Sequence, residues 1–188
     1  MNRTNSVKGF TLIELLIVIG ILGVLAAAVV VVLNPAELLE QARDAQRIQD
    51  LAGVNSALSL YAASVSSPTF TAGPFSTASS TCVVEAGGCT VRAIYTVAGA
   101  GWVAVALSDI PGGSPLSTLP RDPTNSGSSL QYVYMGDDTN KTWELNAVME
   151  STKFSSGGAD DVEGTDGGSD TNAFEVGTDP GLDLLDET

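Results

Sequence analysis

Histidine is absent from the 188-residue chain, cysteine occurs twice, and only 8 basic residues stand against 22 acids. Without histidine, no Ser-His-Asp triad and no His-ligated metal centre can form within the chain. Neither cysteine has an activating neighbourhood, and no glycine-rich phosphate loop follows a strand-like run, so the chain reads as a non-enzyme. A formal net charge of −14 argues against general nucleic-acid binding, which relies on Lys and Arg against phosphate. It suits solubility and mutual repulsion until specific contacts form. The two cysteines, Cys82 and Cys89, are close together. In an oxidising compartment they are expected to close a small loop, whereas a structural zinc site needs four ligands.

Charge is scarce in a second way. Residues 10–33 carry a single ionisable side chain, Glu14, in an otherwise uncharged apolar run. As a helix, 24 residues at about 1.5 Å each span about 36 Å, slightly more than a bilayer core of about 30 Å. The run therefore reads as a membrane helix. Arg3 and Lys8 precede it and no acid does, so the positive-inside rule keeps the short N-terminus in the cytoplasm and sends the remainder outward. A cleaved secretory signal has an apolar stretch of about 7–15 residues and a small-residue cleavage site. Here Ala26-Ala27-Ala28 leads into more valine, and the processing punctuation, Gly9, lies before the run.

A carboxylate inside a membrane helix costs a few kcal/mol and usually has a partner. No Lys, Arg or His occurs between Gly9 and Arg43. Either Glu14 is protonated or reaches the interface, or its partner belongs to another molecule. Cleavage after Gly9 would create a cationic amine on Phe10 at nearly the depth of Glu14, within reach of the carboxylate on an axially shifted copy.

The segment Lys8-Gly9-Phe10-Thr11-Leu12-Ile13-Glu14-Leu15-Leu16 resembles the processing site of type IV pilins and of the pseudopilins of type II secretion systems. The resemblance covers residues 1–65 well and the remainder by general pattern. It implies cleavage after Gly9 by a membrane-embedded prepilin peptidase, N-methylation of Phe10, and a role for Glu14 in subunit assembly. It also implies an inner-membrane assembly machinery as partner and an α+β fold, with a long N-terminal helix packed on a small antiparallel sheet. One departure is the helix-bending proline. Many pilins carry it where this chain has Val31, whereas here it is Pro35, one turn later.

Four segments are expected: a cytoplasmic leader over residues 1–9, a transmembrane and filament-core helix over 10–33, an amphipathic continuation over 34–64, and a head over 65–188. Pro35 should bend or interrupt the helix, or Asn34 and Pro35 serve as cap and first residue of a second one. Leu38, Ala42, Ala45, Ile48, Leu51/Ala52, Asn55 and Leu58 recur every three or four residues as one stripe, expected to pack on the head from Ile48 onward, with residues 36–47 alternatively contacting other subunits; the opposite, polar face carries Glu40, Arg43, Asp44, Arg47 and Asp50. Residues 64–81, rich in Ser, Thr and Pro, read as a surface loop open to O-glycosylation. Hairpins are expected over residues 91–107 and 131–149, with Trp143, Leu145, Ala147 and Met149 inward and Glu144, Asn146 and Val148 outward. Residues 109–127 read as a loop.

Residues 155–188 hold ten acids and no base. Asp160, Asp161, Asp166 and Asp170 are weak calcium candidates, since Ca²⁺ takes six to eight oxygen ligands, and some major pseudopilins bind calcium near this position. EF-hand spacing is absent: counted from Asp161, the sixth place holds Asp166 rather than Gly. The alternative is a solvated acidic loop. Phe174, Val176, Leu182, Leu184 and Leu185 point to one short strand or a packed end. No other cofactor is expected.

Two function classes follow. In the first, the chain is inserted in the cytoplasmic membrane, cut, methylated and assembled with its own copies into a surface or extracellular filament. Gly20 and Gly23 would then allow close helix approach. In the second, it is a single-span, membrane-anchored extracytoplasmic binding module that does not polymerise.

Overall fold

The computed structural model describes residues 9–82, 84–85, 87–127 and 129–185; most of the expected leader lies outside them. The chain divides into two compact units, Met1–Leu38 and Leu39–Thr188.

The first unit contains helix α1, Leu12–Leu33. It is built of Leu, Ile, Val, Ala and Gly with no internal proline, and every described side chain along it is exposed. The N-terminal helix is long and apolar enough to cross a membrane, by length and composition. The helix ends at Asn34, whose left-handed backbone (φ 38°, ψ 73°) closes it. Asparagine is one of the few residues that visit this region readily. Pro35 then opens α2, Pro35–Ser64, where its missing N–H has no intrahelical role. The Asn34-Pro35 pair thus interrupts the helix locally.

The buried stripe of α2 is Asp44, Arg47, Leu51, Val54, Leu58 and Tyr61, joined by Ala57. Leu51 and Leu58 belong to the expected stripe, and the correction concerns the residues before them. Leu38 and Ala42 are exposed, and Ala45 and Ile48 only half-buried. Arg47, assigned from sequence to the polar face, is wholly buried. Its Nε and Nη2 donate to Asp122 at 2.6 and 3.0 Å, and its Nη1 donates to Asp44 at 2.7 Å. Its Nη2 also reaches Glu150, which Arg43 clasps through Nε at 3.0 Å and Nη2 at 2.6 Å. Burial alone would lower the Arg47 pKa, but the hydrogen bonds and charge of Asp122, with Glu150 and Asp44, raise it above its ordinary value. The ion cluster and the apolar residues from Leu51 to Tyr61 share the face of α2 that meets the head.

Five strands form one sheet in the order β2-β1-β3-β4-β5: β1 Phe75–Ser76, β2 Thr90–Val91, β3 Val133–Asp137, β4 Thr142–Ala147 and β5 Phe174–Gly177. All pairs are antiparallel except β1–β2, which is parallel, so the sheet is mixed. Tyr134, Trp143, Leu145 and Ala147 join the α2 residues Leu51, Val54, Leu58 and Tyr61 in the main core. Trp143 stacks on Phe70 with centroids 5.0 Å apart, and its Nε1 donates to Asn55 Oδ1 at 2.8 Å.

Three expectations about the head are corrected. Residues 64–81 are not simply a surface loop, because Phe70, Phe75, Ser76 and Thr77 are buried and β1 lies among them. Residues 91–107 do not form a hairpin ladder; Ala98 bridges to Ala106, and Trp102 N donates to Ile94 O at 3.1 Å. Trp102, Val103 and Val105 are nevertheless buried, with Trp102 Nε1 donating to Pro120 O at 3.0 Å. In β4, Glu144 and Asn146 are as buried as their apolar neighbours, since the sheet is covered on both faces. Its second face packs against a smaller cluster of Cys82, Cys89, Val84, Val133, Ala173 and Leu185. Cys82 and Cys89 are disulfide-bonded, with Cα atoms 5.8 Å apart. Gly88 has φ 76°, and a Cβ there would come within 2.9 Å of Ser80 O, so that turn requires glycine.

Arg47→Met should destabilise the head by about 3–5 kcal/mol, because Asp44 and Asp122 remain buried without their cation. Arg43→Ala, at a partly exposed pair, should cost about 1 kcal/mol or less. Chemical denaturation of the full chain in detergent, followed by tryptophan fluorescence, reads both. Equal effects would show that Arg47 does not dominate the cluster.

Candidate functional site

The processing and assembly candidates, Gly9, Phe10 and Glu14, lie at the start of α1. Phe10 is 82% exposed. A Cβ added at Gly9 would meet nothing within 4 Å, so packing within the chain does not explain that glycine. The same holds for Gly20 and Gly23.

Thr11 is the N-cap of α1, with φ −80° and ψ 151°. Its Oγ1 accepts a hydrogen bond from Glu14 N at 3.3 Å. In return Glu14 Oε2 accepts from Thr11 N at 3.3 Å and from Thr11 Oγ1 at 3.2 Å. This reciprocal capping box satisfies free donors of the first turn, and the positive end of the helix dipole favours a carboxylate there. Glu14 is therefore partnered inside its own chain. A search for cations overlooks this, but the Thr-x-x-Glu spacing of Thr11 and Glu14 is the signature of such a box.

The four calcium candidates sit in different local settings. Asp160 pairs with Lys153 Nζ at 2.9 Å. Asp161 accepts from Gly157 N at 2.8 Å and Gly164 N at 2.7 Å; the Gly164 and Gly157 N–H groups hold its carboxyl below the ordinary range. Asp166 accepts from Glu175 N at 2.6 Å and Gly168 N at 3.0 Å. Asp170 accepts from Asn172 N at 2.8 Å. Among the described residues, no group of three or more acidic or Cys side chains is placed to hold a metal ion.

A different acidic pair, not singled out from sequence, lies on the outer face of the sheet. Glu144 faces Gly177 across β4–β5, and Glu175 faces Asn146. Glu144 Oε2 accepts from Leu184 N at 2.8 Å and Leu185 N at 3.2 Å, tying the C-terminal segment down. Glu175 Oε2 accepts from Asp170 N at 2.9 Å. Each of the two glutamates buries its Oε1 without a hydrogen-bond partner among the described residues. Burial pushes both upward, and Glu175, beside the charge of Glu144, is pushed up to about 8.

A family model described as the prokaryotic N-terminal methylation motif matches residues 4–30. The match supports the type IV pilin and pseudopilin family. It points to a structural protein rather than an enzyme, and with the apolar α1 it fits a membrane-anchored precursor. No curated protein and no solved structure matches the chain.

The acidic groups set an expected pH dependence. Glu175 keeps its proton up to about pH 8 when folded but releases it near pH 4.3 when unfolded. Between these values the folded state binds more protons, so stability falls as pH rises and levels off above about 8. Glu150 behaves oppositely: the Arg43 hydrogen bond, with Arg47, holds it at about 2. Its contribution is present above its ordinary value and is lost as pH falls towards 2. Denaturation midpoints measured from pH 4 to 9 should decline with pH in the native chain and less steeply in Glu175→Gln. Identical slopes would count against a raised Glu175.

Proposed function

We propose that the chain is a structural subunit of a type IV pilus or pseudopilus. It is made as a single-pass precursor in the cytoplasmic membrane, with residues 1–9 as a cytoplasmic leader. Prepilin peptidase cuts after Gly9 and Phe10 is N-methylated. The assembly machinery then draws the helix of residues 10–33 out of the bilayer and packs it against copies of itself, giving a filament at or beyond the cell surface. Residues 34–64 continue the helix and residues 65–188 form the head.

The observation that carries this reading is α1 itself. It is a long apolar surface, exposed on every described side chain, with one carboxylate in its first turn. Soluble monomers do not leave such a surface in water. A bilayer covers it before assembly and neighbouring helices cover it afterwards. The match over residues 4–30 supports the processing step, and the open space around Gly9 fits a glycine retained for recognition by a protease.

In the precursor Glu14 is held by Thr11 of its own chain. In the filament the Phe10 amine of another copy takes over part of that role and sets the axial register. Within the filament core, a carboxylate lacking this partner is costly.

The other reading, a membrane-anchored binding module, requires an uncut chain that stays monomeric. N-terminal sequencing of the mature protein separates the two: methylated Phe10 is expected, and a retained Met1 with no filaments would sink the proposal. Glu14→Ala should insert in the membrane normally yet lower filament yield at least tenfold by shearing and immunoblot. Wild-type yield would remove Glu14 from assembly.

A further inference from the structure

The turn between β3 and β4 carries Asn140-Lys141-Thr142, an Asn-x-Thr triplet whose middle residue is not proline. Such triplets are acceptors for N-linked glycans on exported surface loops. The only other triplet of this kind, Asn2-Arg3-Thr4, precedes the apolar run and falls on the cytoplasmic side in the orientation proposed above. We propose that Asn140 is an N-glycosylation site of the exported head, taking an oligosaccharide from a polyprenyl-phosphate-linked donor. This rests on the proposed outward orientation of the head.

The local structure suits an acceptor. β3 ends at Asp137 and β4 begins at Thr142, so Asn140 occupies the tip of a hairpin. Asn140 and Lys141 are exposed, and Asn140 belongs to neither apolar cluster. The turn is organised by Asp137. Its Oδ1 accepts from Thr139 N at 2.7 Å and Asn140 N at 3.2 Å, and its Oδ2 accepts from Asn140 Nδ2 at 2.7 Å. Asp138 reinforces the turn by accepting from Lys141 Nζ at 2.7 Å and Phe70 N at 2.9 Å.

An Asn side-chain amide has two N–H bonds. Glycosylation replaces one of them and leaves the other to donate to Asp137, so the modification is compatible with the observed turn. Thr142 supplies the hydroxyl of the triplet; in the folded head its Oγ1 donates to Asp179 Oδ1 at 2.9 Å. The strands behind the tip are held by five residue pairs of β3–β4 and by Trp143 stacked on Phe70. A bulky group at the tip therefore extends into solvent without displacing the core.

The transfer balances as a substitution at the sugar. Asn140 Nδ2 forms a bond to the anomeric carbon, and the bond between that carbon and the donor phosphate oxygen breaks. The phosphate leaves with its electron pair, and the displaced amide proton passes to a base of the transferase. No oxidant or reductant is required.

The test is mass spectrometry of the tryptic fragment containing Asn140, from full-length protein purified from the cells that make it. A glycan mass on Asn140 is expected, lost in Asn140→Gln and in Thr142→Val and retained in Thr142→Ser. If Asn140→Gln fails to accumulate, the two Thr142 variants still decide the matter. Protease added to spheroplasts reports independently on orientation. A head that is cleaved from outside but carries unmodified Asn140 overturns this inference and leaves the proposed function standing. A head protected from external protease removes the outward orientation, and the glycosylation site falls with it.

Discussion

The head is organised around one buried cation. Arg47 meets Asp44 three residues away, Asp122 75 residues away and Glu150 103 residues away. A guanidinium can do this because its donors lie in a planar fork that engages several carboxylates at once. Placing it inside requires nearly every donor to be matched, and that requirement fixes two distant segments, at Asp122 and Glu150, against one turn of α2. The apolar contacts from Leu51 to Tyr61 then continue along the same face. A buried ion cluster is weak evidence for net stability but a strong constraint on arrangement, since one missing partner leaves a charge uncompensated.

That constraint also explains what the sequence conceals. Local signals were legible: the apolar length of α1, the interruption at Asn34-Pro35, the Cys82–Cys89 loop, and the turn between β3 and β4. Each depends on residues near one another in the chain. The buried face of α2 before Leu51 was not legible, because Asp44 and Arg47 look like surface residues until Asp122 and Glu150 are brought to them. Residues 64–81 misled for a related reason. Their Ser and Thr content reads as solvated loop, yet Phe70 and Phe75 enter the core and two residues pair as β1. The outer face of the sheet was hidden too, since alternation along β4 assumes that one face is wet. Here the disulfide loop and the C-terminal segment cover it.

At the N-terminus, Glu14 shows how a carboxylate in an apolar helix finds donors close by. Alone in a bilayer, a carboxylate needs donors, and the nearest available are the backbone N–H and hydroxyl of Thr11. These contacts are local and need no second molecule, so the first turn of α1 is complete before any proposed encounter. Their distances of 3.2–3.3 Å lie at the long end for such bonds. A cationic amine offers the same carboxylate a charge-assisted bond roughly twice as strong as a neutral one. In the filament proposed above, that difference would favour exchange of the Thr11 contacts for the amine.

The left-handed residue at Asn34 has a consequence for cooperativity. It ends one ladder of backbone hydrogen bonds and Pro35 cannot extend it backwards, so the ladders of α1 and α2 are not continuous through this point. Helix–coil transitions propagate through an unbroken ladder. Fraying or melting that begins in α1 meets a nucleation barrier at residues 34–35 before it reaches the segment anchored by Arg47. The apolar unit can thus change its helical content while the head keeps its own folding equilibrium.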